Sequence, residues 1–164
     1  ARKIFEAELS KELIVRNINA VESFEVFKAT FTSAKQTEEN IQKEVNRLSE
    51  NGFDAILIST VKGVNQKTVY SADMYRTDYY WRRFGRYYYL YQDVYFDPGY
   101  YEKYYIYNIE ASLFDLKNNE DKSLVWVASY NIVDPKSINT TVKGYVKAII
   151  KTLEKEAIIP SNIK

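Results

Sequence analysis

The chain of 164 residues has no cysteine and no histidine, only five glycines and only three prolines. Without Cys there is neither a thiolate nucleophile nor a disulfide framework, and without His no imidazole base that works near neutral pH. The usual zinc ligand set is absent with them, so no cofactor or metal site is expected beyond a hard cation held by carboxylates. The lack of Cys fits the cytoplasm and equally an export route that needs no disulfide. There is no run of 18 apolar residues, so nothing in the sequence reads as a membrane-spanning helix. A net charge of +1 excludes a global field that draws the chain to nucleic acid, anionic lipid or acidic substrates. Any such attraction must be local.

What is abundant is tyrosine. Fourteen of the sixteen tyrosines fall between Tyr70 and Tyr107, together with Trp81, Phe84 and Phe96. On either side of this stretch lie ordinary helix and strand patterns, without an internal repeat or a linker that divides the chain. Phe5, Leu9 and Leu13 recur every four residues, flanked by Ile4 and Ala7, and predict a helix over 3–16 with Asn17 as a left-handed cap. From Ala20 to Thr30 the chain is β-branched and aromatic, through Val21, Phe24, Val26 and Phe27, with Phe31 just beyond, and this reads as a strand. Thr37 caps a second helix with Glu38 and Glu39 in its first turn and Ile41, Val45 and Leu48 as its stripe, ending at Asn51-Gly52.

Asp54 to Val61 holds the apolar run Ala55-Ile56-Leu57-Ile58 without alternation and reads as a strand covered on both faces at the centre of a sheet. Strand, helix and strand at this spacing predict one right-handed crossover unit. Tyr105 to Phe114 alternates, a polar turn runs from Lys117 to Lys122, and Leu124, Trp126, Ala128 and Tyr130 share one face of another strand. So short a link predicts an antiparallel hairpin. Asp134-Pro135 ends it, and Ser137 caps a last helix with Ile138, Val142, Tyr145, Val146, Ile149 and Leu153 as its stripe. Ile158-Ile159-Pro160 reads as a tail that packs back on the sheet. The expectation is one α/β domain over 1–164: a mixed sheet of about four or five strands, three helices mainly on one side, and a tyrosine-rich β-hairpin excursion at about 66–104.

No Gly-rich phosphate loop, nucleophile elbow or metal-ligand spacing occurs. Asp73, Asp78, Asp93, Asp97 and Glu102 offer carboxylate pairs in the tyrosine stretch for hydrolysis of a glycoside. Arg76, Arg82, Arg83, Arg86 and Lys103 lie beside them, so a salt-bridged surface accounts for them more simply. Glu110, mid-strand among apolar neighbours, reads as a sheet-face carboxylate paired with a Lys or Arg, and otherwise as a buried acid with a raised pKa. Asn139-Thr140-Thr141 matches a glycosylation acceptor by chance composition. The non-catalytic reading is therefore preferred. Tyrosine rings bring large contact area at low entropy cost, which suits a face for protein, sugar or polymer. The candidate partner-binding residues are Tyr79, Tyr80, Trp81, Arg82, Arg83, Tyr87, Tyr89 and Tyr91. The Tyr79–Tyr91 portion is expected outward, and Tyr100–Tyr107 leads inward. The plain alternative is structural, with the rings covering the sheet edge. Stacking of Arg82, Arg83 and Arg86 with neighbouring rings on nucleic acid bases is the remaining binding alternative.

Several short motifs carry a resemblance: Arg2-x-x-Phe5-Glu6, Gly52-Phe53-Asp54-Ala55-Ile56-Leu57, Pro98-Gly99-Tyr100-Tyr101, Glu110 to Asp115, and Leu124-Val125-Trp126. In this order the chain resembles a group of uncharacterised bacterial envelope lipoproteins, in which a final helix closes the sheet. That group is similar in outline to the small α/β accessory domains of the TolB amino-terminal type. The resemblance implies a protein facing the periplasm, lipid-anchored through residues upstream of Ala1, that binds an envelope protein or glycan without catalysis. It also implies a strand before the first helix, whereas this sequence opens within that helix. It assigns no functional residue, and no nucleic acid partner is expected from it.

Overall fold

The computed structural model describes residues 1–64, 84, 85, 88, 106–117, 123–133 and 137–161. The chain divides into two compact units: Ala1–Thr32 with Ile132–Lys164, and Ser33–Asn131.

The first unit is helical. α1 (Arg2–Ile14) and the last helix, α5 (Ile138–Lys155), pack together. Phe5 stacks on Tyr145 with ring centroids 5.5 Å apart. At the end of α1, the Arg16 guanidinium donates to Glu154 Oε1 at 2.7 Å and to Glu12 Oε2 at 2.8 Å, tying the two helices together. The apolar stripe of α5 is buried at Val142, Tyr145, Val146, Ile149 and Leu153, as its spacing predicts. Ile138, expected to begin that stripe, is exposed. Ser137 holds the cap position of α5 without a side-chain cap bond.

The strand expected over Ala20–Thr30 is not there. That stretch forms two single-turn helices, α2 (Ser23–Val26) and α3 (Ala29–Thr32). The cause is visible in α1. Glu6 accepts from the Ser23 backbone N–H at 2.8 Å and from its hydroxyl at 2.7 Å, so a carboxylate satisfies donors at the start of α2. The Ser10 hydroxyl donates to the Ala20 carbonyl at 3.0 Å. Phe27 and Phe31, four residues apart, stack at 4.9 Å.

In the second unit α4 (Glu38–Glu50) starts at Thr37, whose side chain accepts from the Asn40 N–H at 3.2 Å. Its buried face is Ile41, Val45 and Leu48, as expected. A three-stranded antiparallel sheet follows, made of β1 (Ala55–Val64), β2 (Ile106–Asp115) and β3 (Leu124–Val133) in the order β1-β2-β3. The hairpin of the last two strands is as expected, and Asp115 N–H donates to the Ser123 carbonyl at 2.7 Å where it closes. Three expectations are corrected. Among the described residues the sheet has three strands and is antiparallel, not four or five and mixed. Among the described residues five helices can be delimited rather than three, the additional two being α2 and α3. β1 stands at one end of the strand order and β2 is central, so no right-handed crossover forms; its intended first strand is the helical stretch at 20–32.

The three long helices end alike. Asn17 (φ 60°), Gly52 (φ 86°) and Ala157 (φ 57°) all adopt the left-handed conformation. After each, the next N–H reaches back six residues' span to a leucine carbonyl: Ile18 to Leu13 (3.1 Å), Phe53 to Leu48 (3.1 Å) and Ile158 to Leu153 (2.9 Å). This is the Schellman arrangement, with an apolar residue following the left-handed one each time. No helix among the described residues is long and apolar enough to cross a membrane.

Candidate functional site

The candidate partner-binding residues Tyr79, Tyr80, Trp81, Arg82, Arg83, Tyr87, Tyr89 and Tyr91 lie outside the described residues, as do the five candidate carboxylates and Arg86. The structure does define where their segment is rooted. β1 and β2 are neighbours, paired from Ala55↔Asp115 to Val64↔Tyr107. Val64 and Tyr107, which flank most of the tyrosine-rich stretch in sequence, therefore face each other across neighbouring strands.

Its interior has one described anchor. Phe84, Gly85 and Tyr88 have helical backbone. Phe84 is 7% exposed and meets Phe114, itself 0% exposed, edge to face at 5.6 Å. Tyr88 leans on Phe84 at 6.0 Å. A β-carbon on Gly85 would sit 3.6 Å from Ile41 Cγ2 and 3.7 Å from Gln42 Oε1, so this turn lies directly against α4. Phe114 pairs with Ile56. It lies seven residues along β2 from Tyr107, roughly 24 Å from the Val64↔Tyr107 pair. The sequence reading expected the portion from Tyr79 to Tyr91 to face outward; at Phe84 a ring within that portion is core.

The second feature is polar and sits on one face of the sheet. Lys62 Nζ lies 3.1 Å from Glu110 Oε1, with side chains only 10% and 16% exposed. The Ser112 hydroxyl donates to the same carboxylate oxygen at 3.3 Å. The paired reading of Glu110 thus describes its surroundings. The register runs Val61↔Ile109 and then Gly63↔Asn108, which leaves Lys62 as the extra residue of a β-bulge. Burial pushes the Lys62 ammonium down from its ordinary value, against the opposing pull of Glu110. Burial likewise pushes the Tyr107 hydroxyl up.

Thr60 stands directly opposite Glu110. Continuing the Asp115–Ser123 bond along an unbulged ladder sets Trp126 opposite Ser112 on that face. Among the described residues, Thr60 Oγ1 and Trp126 Nε1 are buried and form no hydrogen bond. Such orphaned atoms are few in folded chains and cost stability. Chemically the cluster is an ion pair of Lys62 and Glu110 with the Ser112 hydroxyl on the same carboxylate and Thr60 opposite it. Among the described residues no three carboxylates gather as a metal-holding group.

Sequence reasoning did not find Lys62 or the Phe84 anchor. The signal for the first is Lys62-Gly63 interrupting an apolar strand; for the second, it is a lone Phe between arginines where the neighbouring runs are tyrosine. No family model matches the chain, and neither a curated protein nor a solved structure is significantly similar to it.

Proposed function

We propose that the chain is a non-catalytic binding or accessory protein of the bacterial cell envelope, facing the periplasm, that engages a protein or glycan through the tyrosine-rich segment. The observation that carries this reading is that Val64 and Tyr107, 43 positions apart in sequence, face each other on neighbouring antiparallel strands. Adjacent antiparallel strands can be joined by a two-residue turn, so a connection of this length is more than the sheet needs. It concentrates fourteen of the sixteen tyrosines, a composition suited to contact surfaces. Phe84, a residue of that stretch, packs edge to face on Phe114 of the sheet, which supports a stretch that belongs to the folded domain. The resemblance of the short motifs to envelope lipoproteins supports the compartment. Absence of Cys and His from the whole sequence supports the non-catalytic part.

The test replaces Tyr79, Tyr80 and Trp81 together by Ser and measures capture of partners from an envelope extract. The reading expects retained circular dichroism and melting temperature with loss of capture. A collapsed fold instead makes these rings core, and undiminished capture removes them from the binding face.

A further inference from the structure

α5 carries Lys143, Lys147, Lys151 and Lys155, four lysines each four residues from the next, and all four are exposed. Their opposite side is filled: Val142, Tyr145, Val146, Ile149, Ile150 and Leu153 are buried. Like charges four apart weaken a helix, so three successive such pairs are an arrangement that folding alone does not favour. Elsewhere the chain pairs such residues, as where Lys43 Nζ meets Glu39 Oε1 at 2.7 Å in α4. Among the described residues none of the four α5 lysines forms an ion pair. The acid within their reach on α5, Glu154, is held by Arg16. With a net charge of only +1 over the whole chain, this line of amines is a local concentration.

We propose that the lysine stripe of α5 is a docking surface for an anionic phospholipid bilayer. From Lys143 to Lys155 the stripe spans roughly 18 Å, and a four-residue spacing advances each amine by roughly 40° around the axis. The charges therefore spread over a broad shallow spiral. Long flexible side chains in that arrangement suit a flat surface of mobile headgroups better than a fixed groove. The stripe holds no arginine fork or ring that would stack on a base, which disfavours nucleic acid. Because the apolar side of α5 is already buried, the contact is electrostatic and peripheral, without insertion of the helix. This inference does not depend on the tyrosine-rich segment.

The experiment sediments the full chain with vesicles of mixed phosphatidylglycerol and phosphatidylcholine, and with phosphatidylcholine alone. Binding is expected only to the mixed vesicles and falls as salt shortens the reach of the charges. Replacing all four lysines by Gln abolishes it, each single replacement lowering the partition coefficient by roughly fivefold at most. Replacing all four by Arg retains it, and circular dichroism checks that α5 stays helical in each variant. Equal binding to both vesicle types, or unchanged binding by the fourfold Gln variant, overturns the proposal. So does tighter binding of a duplex oligonucleotide than of the mixed vesicles.

Discussion

Residues 20–32 and 55–61 are both rich in β-branched and aromatic or aliphatic side chains, yet one folds as two helical turns and the other as a strand. The difference lies in what each finds beside it. Asp54 to Val61 meets β2 residue by residue, from Ala55↔Asp115 to Val61↔Ile109, and its backbone is answered by another backbone. Residues 20–32 meet α1, whose Glu6 and Ser10 side chains answer Ser23 and Ala20. β-propensity expresses fit to a pleated neighbour, and where side-chain acceptors of a helix stand instead, it loses.

The most damaging way to break the strand side of this comparison is Phe114→Ala. The ring is fully buried and backs Phe84, so the variant should lose about 4 kcal/mol, read from the urea midpoint. Release of the Phe84 anchor should appear as new protease cuts near that residue; an intact cleavage pattern would separate the anchor from the core. Next, Glu110→Ala strands the Lys62 ammonium in a nearly buried position and should cost about 3 kcal/mol. A loss no larger than that of an exposed lysine pair would mean the pair is solvated. On the helical side, Glu6→Ala removes both acceptors of Ser23 and should cost about 2 kcal/mol. If stability holds and amides of 23–26 stay protected, tertiary packing and not Glu6 selects the helical turns.

The pH dependence sharpens the strand side. Lys62 loses its proton in the folded chain below its ordinary 10.5, whereas the unfolded chain keeps it to that value. Between the two the unfolded state binds more protons, so this contribution stabilises as pH rises towards 10.5 and is lost as pH falls through the folded value. Tyr107, raised by burial, acts in the opposite sense: its contribution is present below 10.0 and lost above it. Unfolding of the wild type is therefore compared with that of Lys62→Met/Glu110→Leu, which keeps Tyr107. The wild type should gain on the variant with rising pH; parallel curves would contradict a desolvated Lys62. The smallest effect is a gain. Ala157, exposed at φ 57°, bears a β-carbon in a conformation glycine adopts freely, and Ala157→Gly should raise stability by about 1 kcal/mol in thermal melts.

Much of the architecture was legible because it rests on local chemistry. Thr37 followed by Glu38 and Glu39, the buried stripe Ile41-Val45-Leu48, and Asn51-Gly52 announce both ends and the inner face of α4. Asn17 could be read as a left-handed cap; Ala157 could not, since nothing in an alanine announces positive φ. The β2–β3 hairpin followed from alternation and a short polar link. What failed depended on partners distant in sequence. The apolar run at 55–61 speaks of burial but not of which neighbours supply it, so its end position in the strand order was hidden. Lys62 could not be matched to Glu110 without the register, 48 positions away. Phe84 was hidden by the ring-rich sequence around it.

The meeting of Val64 with Tyr107 also has a kinetic side. Closing that ladder end brings together two positions separated by about 40 residues, while the Asp115–Ser123 closure joins positions separated by about seven. Chain entropy makes the first closure dearer by about 1.5 kcal/mol. β2 and β3 should therefore zip early, with β1 joining afterwards. Contact of Phe84 with Phe114 cuts the long loop into two shorter ones, so the ring that roots the tyrosine segment also gives β1 a shorter search.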